Sequence, residues 1–88
     1  MKVTLSPKAE KQLRQSSKID QIAIARKIRN IRDSKTIARE EKLKGHKNVY
    51  RVRVGSYRIV YKKTQNSIYV VLIGHRNDIY KLVDRLFK

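Results

Sequence analysis

The sequence predicts an α+β domain in which a helical hairpin packs on a small antiparallel β-sheet, with a short helix at the C-terminal end. Three observations carry that expectation: apolar residues at helical spacing through the first third, consecutive strand-like runs after residue 48, and a return to helical spacing after residue 77. Eighty-eight residues supply one modest core. A single domain, 1–88, is therefore expected to carry the whole function.

Lys2–Leu5 reads as a short strand, followed by Ser6 and Pro7, a capping hydroxyl and a ring pre-set for the first helical position. A first helix then passes through Ala9 and Leu13 until Ser16 and Ser17 break it. The next helix, over 19–32, sets Ile24, Ile28 and Ile31 on one face, which is expected to pack on the sheet. Ile19, Ile22 and Ala23 fall on another side and are expected to meet the first helix. Residues 33–48 are charged and irregular, and read as a loop ending in a basic stretch turned by Gly45. Three strands follow, Val49–Val54, Tyr57–Lys63 and 68–73, the last nearly all apolar, as a strand covered on both faces requires. Asn77 or Asp78 can cap the final helix, whose Ile79, Leu82, Val83, Leu86 and Phe87 form one apolar stripe.

The charge balance narrows the function classes. Lys and Arg number 23 against 7 Asp and Glu, a formal net charge of +16 that opposes folding by self-repulsion and calls for an anionic partner. The excess is spread along the chain rather than held in a tail: residues 1–43 carry 12 basic and 5 acidic groups, and residues 44–88 carry 11 and 2. An apolar fraction of 40% separates this chain from disordered basic segments. The absence of cysteine excludes disulfides, thiolate metal sites and a Cys nucleophile, and two histidines do not make a metal cage. No cofactor is expected. No apolar run reaches the roughly 18 residues of a membrane span, so the chain is expected to be soluble and cytoplasmic, with no membrane partner.

Gly55-Ser56 between two strand-like runs is the signature of a two-residue type II′ hairpin, with glycine supplying the positive φ at the first turn position. That turn sets Val54 opposite Tyr57, Arg53 opposite Arg58, Val52 opposite Ile59, Arg51 opposite Val60 and Tyr50 opposite Tyr61. One face then carries Tyr50, Val52, Val54, Tyr57, Ile59 and Tyr61 and should lie against the helices. The other carries Arg51, Arg53, Arg58 and Lys62 around Val60. Like charges opposite one another on paired strands are unfavourable. Guanidinium groups, however, present planar forks of donors that match phosphate oxygens, so three on one rigid ribbon form a cradle for a phosphodiester.

Leu43-Lys44-Gly45, Tyr50-Arg51-Val52-Arg53-Val54-Gly55, Tyr57-Arg58-Ile59-Val60-Tyr61, Gly74-His75-Arg76 and Tyr80, in that order over residues 43–80, resemble the core pattern of the RelE/ParE toxin superfamily. The resemblance implies a RelE-like fold, similar to that of microbial ribonucleases. It further implies a ribosome-dependent endoribonuclease that cuts messenger RNA, the 2′-hydroxyl of one nucleotide attacking the adjacent phosphate. Arg51 and Arg53 match a basic pair of the family, Arg58 a phosphate-contacting arginine, Arg76 an arginine that stabilises developing charge, and Tyr80 a tyrosine that stacks on or orients the substrate. Lys44, His46, Lys47 and Lys62 are candidate RNA contacts on the same basic surface.

The chain departs from the pattern in having arginines where well-known members have lysines. An arginine, with a pKa above about 12, stabilises charge better than it takes a proton. His75, beside Arg76, is therefore a candidate proton shuttle, since imidazole titrates near neutrality. The resemblance also implies an acidic, RelB-like antitoxin as partner, in a complex such as a heterotetramer, with the C-terminal helix a contact. A second branch of the superfamily shares the tyrosine-arginine hairpin but binds DNA gyrase. Arg76, Tyr80 and the crowding of cations on one face point to RNA cleavage instead. A plain RNA-binding module fits less well, because the arginine face offers no stacked aromatics.

Overall fold

Both N-terminal helices begin on a serine hydroxyl. Ser6 Oγ accepts from Ala9 N–H at 2.9 Å and Ser17 Oγ accepts from Asp20 N–H at 3.2 Å, each taking up one donor that the first helical turn leaves unpaired. The computed structural model describes residues 1–34, 37 and 39–86. In chain order it contains β1 (Lys2–Leu5), α1 (Pro7–Gln15), α2 (Lys18–Asp33), β2 (Glu41–Lys42), β3 (Val49–Val54), β4 (Tyr57–Lys63), β5 (Ser67–His75) and α3 (Ile79–Leu86). Phe87, the last residue of the expected apolar stripe, lies outside the described residues.

The five strands form one sheet in the order β1-β5-β4-β3-β2. The β3–β4 and β4–β5 pairs are antiparallel, as expected, and so is β2–β3, but β1 runs parallel to β5, so the sheet is mixed. Parallel neighbours need a long crossover, and β1 and β5 are separated by every other strand. The strand β2 was not expected in the charged connection; its two residues pair with Tyr50 and Arg51.

β1 covers β5 only as far as Val70, and the side chains of Ser6, which caps α1, and of Gln12 within it then take over along that edge. Ser6 Oγ donates to the Val71 carbonyl at 2.8 Å, and Gln12 Oε1 accepts from Ile73 N–H at 2.8 Å. Buried backbone groups must find partners, so these two bonds substitute for a missing strand and fix α1 against β5.

The hydrophobic core has two parts, one on each sheet face. On the α1–α2 side, Ala9, Ile24 and Ile31 pack with Val52, Ile59, Tyr61, Ile68, Val70 and Ile73, with Ile28 partly buried beside them. Burying an isoleucine is worth about 1.5–3 kcal/mol, so Ile24 and Ile31 alone anchor the long helix firmly. On the other face, Ile79 and Val83 of α3 close over Val60, Val71 and Leu72, with Leu43 and Val49 at the margin. β5 serves both cores through a bulge: Val60 pairs with Leu72 and Tyr61 with Val70, which leaves Val71 as an extra residue on the α3 side.

Ile19, Ile22 and Ala23 are not packed away as expected: all three are exposed, Ile19 and Ile22 by 81% and 51%, because α2 turns the Ile24–Ile31 face to the sheet and leaves them on its outer side.

Candidate active site

The β3–β4 hairpin turns at Gly55, whose φ is +58°, and its register is Val54↔Tyr57, Arg53↔Arg58, Val52↔Ile59, Arg51↔Val60 and Tyr50↔Tyr61. Every pair is the one the Gly55-Ser56 turn predicts. Strand alternation puts Arg51, Arg53 and Arg58 on the face away from α1 and α2, where Val60 lies under α3.

Arg51 is the best-tethered of these cations. Its Nη2 donates to Glu41 Oε2 at 2.9 Å across the β2–β3 pair, and its Nη1 donates to the Tyr80 hydroxyl. The guanidinium carbon also lies 5.1 Å from the centre of the Tyr80 ring, within range for a cation–π contact. The hydrogen bond it donates to Glu41 raises the Arg51 pKa above its ordinary value, so this side chain is a fixed positive charge. Tyr80 is 42% exposed, on the surface beside Arg51 rather than in the core.

Arg53 and Arg58 are held only by backbone carbonyls: Arg53 Nε donates to Gly55 O at 3.1 Å, and Arg58 Nη1 donates to Tyr57 O at 3.3 Å. Arg76 is exposed, and its N–H donates to Ser56 O at 2.8 Å, which ties the end of β5 to the hairpin turn. Among the described residues, Arg53, Arg58 and Arg76 form no ion pair. The turn end of the ribbon thus gathers unneutralised guanidinium groups.

His75 lies elsewhere. Gly74 pairs with Arg58 and His75 pairs with Tyr57, so the imidazole belongs to the α1 face, edge-on to Tyr57 with ring centres 6.0 Å apart. It borders a hollow of about 230 Å³ with Gln12, Ser16 and Asp78, and its Nδ1 accepts from Asn77 N–H at 3.4 Å. It is also the last residue of β5 rather than a residue beyond the strand. Sheet alternation therefore separates it from the arginines that chain proximity to Arg76 had suggested as neighbours.

Lys44, His46 and Lys47 line a separate open hollow of about 430 Å³ in the connection before β3. Lys62 pairs with Val49 at the same end of the ribbon, on the arginine face. Val49 and Arg53 are four residues apart on β3, which at about 3.3 Å per residue separates the two basic groups by roughly 13 Å.

Glu41 was missed in the sequence, as was its neighbour Glu40. Glu40 accepts from the Tyr61 hydroxyl at 2.8 Å and from Lys63 Nζ at 3.0 Å on the α1–α2 face. Two carboxylates in a charged connection carry no periodic signal, and a two-residue strand is too short to generate one.

A family model described as the ParE toxin of type II toxin-antitoxin systems matches residues 3–80. The chain belongs to the RelE/ParE toxin superfamily. This RelE/ParE toxin is similar in structure to a chain of the RelB–RelE antitoxin–toxin complex from Methanococcus jannaschii, with 26% identity and a TM-score of 0.76, covering 90% of this chain and 96% of that one. The isolated RelE toxin of E. coli is 19% identical with a TM-score of 0.72, covering 99% and 98%. YoeB from Staphylococcus aureus, solved as a dimer, is 24% identical with a TM-score of 0.69, covering 85% and 95%. No curated protein sequence gives a significant match to the toxin. The last two likenesses establish a shared fold.

Proposed function

We propose that this type II toxin is a ribosome-dependent endoribonuclease, and that its arginine face holds the scissile phosphate of messenger RNA. The observation that carries the reading is Arg53 standing directly opposite Arg58, with Arg51 on the same face and Arg76 tied to the turn beside them. Such a cluster of like charge is unfavourable in the free protein and favourable around an anion.

In the proposed reaction the 2′-oxygen forms a bond to the adjacent phosphorus and the bond to the 5′-oxygen breaks, giving a 2′,3′-cyclic phosphate and a 5′-hydroxyl. Arg58, Arg53 and Arg76 stabilise the charge that grows on the phosphorane oxygens, a contribution of about 10²–10³ in rate for one well-placed donor. Arg51 adds a fixed charge and holds Tyr80 by the ring contact, so that Tyr80 can stack on or orient the nucleotide. The 2′-hydroxyl proton passes to Glu41, since a carboxylate accepts a proton at neutral pH and a guanidinium does not. Water returns a proton to the departing 5′-oxygen. His75 braces Tyr57 on the opposite face and takes no part in the transfer. Lys44, His46, Lys47 and Lys62 bind RNA backbone farther along the ribbon, and the ribosome holds the substrate in line.

An acidic, RelB-like antitoxin is the proposed cellular partner, in a complex such as a heterotetramer, in the cytoplasm. The net charge of +16 supports it, as does the structural likeness to a toxin solved in a RelB–RelE complex. Inhibition of DNA gyrase, which the resemblance attaches to the ParE branch, is the second reading, since the matching family model is described as a ParE toxin.

One comparison separates the two: purified toxin is given either programmed ribosomes, with mapping of RNA 5′ ends, or gyrase in a supercoiling assay. Cleavage within codons that Arg58→Ala and Arg76→Ala abolish, with both variants folded, is the expected result. Gyrase inhibition without cleavage, or full cleavage by both variants, overturns the assignment.

A further inference from the structure

Glu41 begins β2 and Glu40 immediately precedes it, and in this extended stretch the two side chains reach opposite sides of the sheet and join them. Glu40 is on the α1–α2 side, its side chain only 15% exposed, bonded to Lys63 Nζ at 3.0 Å and to the hydroxyl of the fully buried Tyr61 at 2.8 Å. Lys63 in turn lies 5.1 Å from the centre of the Tyr50 ring, which stacks on Tyr61. Glu41, one residue on, reaches Arg51 on the other face.

β2 has little else to hold it. It is two exposed residues long, pairs with one strand only and lies at the sheet edge. Its flanks are fixed by Leu43, whose N–H donates to Val49 O at 2.9 Å, and by Glu40. Releasing Glu40 leaves one side of β2 without its charged anchor, so that only a two-residue ladder, the Leu43 bond and an exposed ion pair hold Glu41 against Arg51.

We propose that Glu40, clamped by Tyr61 and Lys63, is a positioning residue for the active site: it acts through Glu41 to set the orientation of Arg51 and, through Arg51, of Tyr80. The proposal rests on reading the arginine face as the site of RNA cleavage. Glu40 touches no substrate in this scheme. Its role is to hold the edge strand so that the Glu41 carboxylate meets the guanidinium and the scissile nucleotide in one geometry.

The test combines a measurement that needs no activity with one that does. In ¹⁵N-labelled toxin, a guanidinium pinned by a carboxylate gives separate Nη resonances for Arg51, and a free one gives averaged resonances. Separate resonances in the wild type that collapse equally in Glu40→Ala and Glu41→Gln are expected. On programmed ribosomes, Glu40→Ala should lower kcat by about ten- to a hundredfold, with KM within about twofold, because misplacement by an ångström costs that much. The same substitution made in a Glu41→Gln background should cost nothing further.

Glu40→Gln keeps the acceptor for Tyr61 and loses the charge facing Lys63, so it covers the case in which Glu40→Ala fails to fold; partial collapse of the Arg51 signals and a smaller fall in kcat are expected of it. Unchanged Arg51 resonances in a folded Glu40 variant, or losses from Glu40 and Glu41 that multiply, overturn the proposal. A wild-type toxin that cuts no RNA removes the nuclease reading instead, and the resonances still decide whether Glu40 sets Arg51.

Discussion

Arg53 and Arg58 face each other directly across β3 and β4, one residue pair back from the turn, and neither is bonded to a carboxylate among the described residues. Side chains so paired have Cβ atoms about 4.5–5.5 Å apart, so their repulsion is felt by the fold. Arg58→Gln should therefore stabilise the free toxin by a few tenths to about 1 kcal/mol. The gain should shrink between 0.1 and 1 M salt, where the Debye length falls from about 10 Å to about 3 Å. Urea unfolding at both salt concentrations checks this, and cleavage by the same variant should fall at least about a hundredfold. Loss of stability at low salt would mean that the pair is held by a favourable contact instead.

The ribbon was legible because a two-residue turn determines every pairing that follows it. Once Gly55 takes a positive φ, Arg53 has to meet Arg58 and Tyr50 has to meet Tyr61. Relationships set by distant parts of the chain were not legible in this way. The parallel pairing of β1 with β5 depends on how the helical hairpin lies across the sheet. The face of His75 depends on strand phase, which the bulge at Val71 resets and which nothing in the local residues announces. Glu41 meets Arg51 because an edge strand of two residues folds back, a tertiary event with no periodic signature. Helical spacing alone suggests an internal contact for Ile19 and Ile22, but spacing does not say which neighbour is present, and both are exposed.

Gly74 has a steric role that reaches the site. A Cβ built there would meet Ile79 Cδ1 at 3.0 Å, with Leu82 at 3.8 Å, so α3 rests on the bare glycine. Gly74→Ala requires Ile79 Cδ1 to give by a few tenths of an ångström, and overpacking costs about 1–3 kcal/mol where the neighbour is held in place. Tyr80 follows Ile79 in the same helix, so the contact with Arg51 should loosen. A lowered melting temperature accompanied by reduced cleavage is expected; an unchanged melting temperature would show that Ile79 rotates away freely.

Alkaline pH should act through Tyr61. Burial raises its phenol well above the usual tyrosine value, and the hydrogen bond to Glu40 raises it further. The folded protein then keeps this proton where the unfolded chain, with a tyrosine pKa near 10, releases it. Stability from this group is full below about pH 10 and falls as pH rises, by up to about 1.4 kcal/mol per unit for one proton. Tyr61→Phe has no proton to lose, so its unfolding midpoint should depend less steeply on pH between 9 and 11. Parallel profiles for the two proteins would show that Tyr61 is not the group responsible.

Ile19 and Ile22 are three positions apart and share a side of α2, where exposed Lys18 and Arg26 flank them. An apolar ridge bordered by cations is complementary to an amphipathic segment bearing carboxylates, the chemistry proposed for the antitoxin. Replacing both isoleucines with glutamine removes apolar area already in water, so the stability of the free toxin should change by no more than about 0.5 kcal/mol. In a complex that covers them, each side chain contributes about 1.5–3 kcal/mol, and the double variant should bind the co-expressed antitoxin at least about tenfold more weakly. Cleavage by the free variant should remain at the wild-type rate, since the ridge lies on the far side of the sheet from Arg53 and Arg58. Undiminished antitoxin affinity, measured by titration calorimetry, would assign the contact to another surface, and α3 is then the one to test.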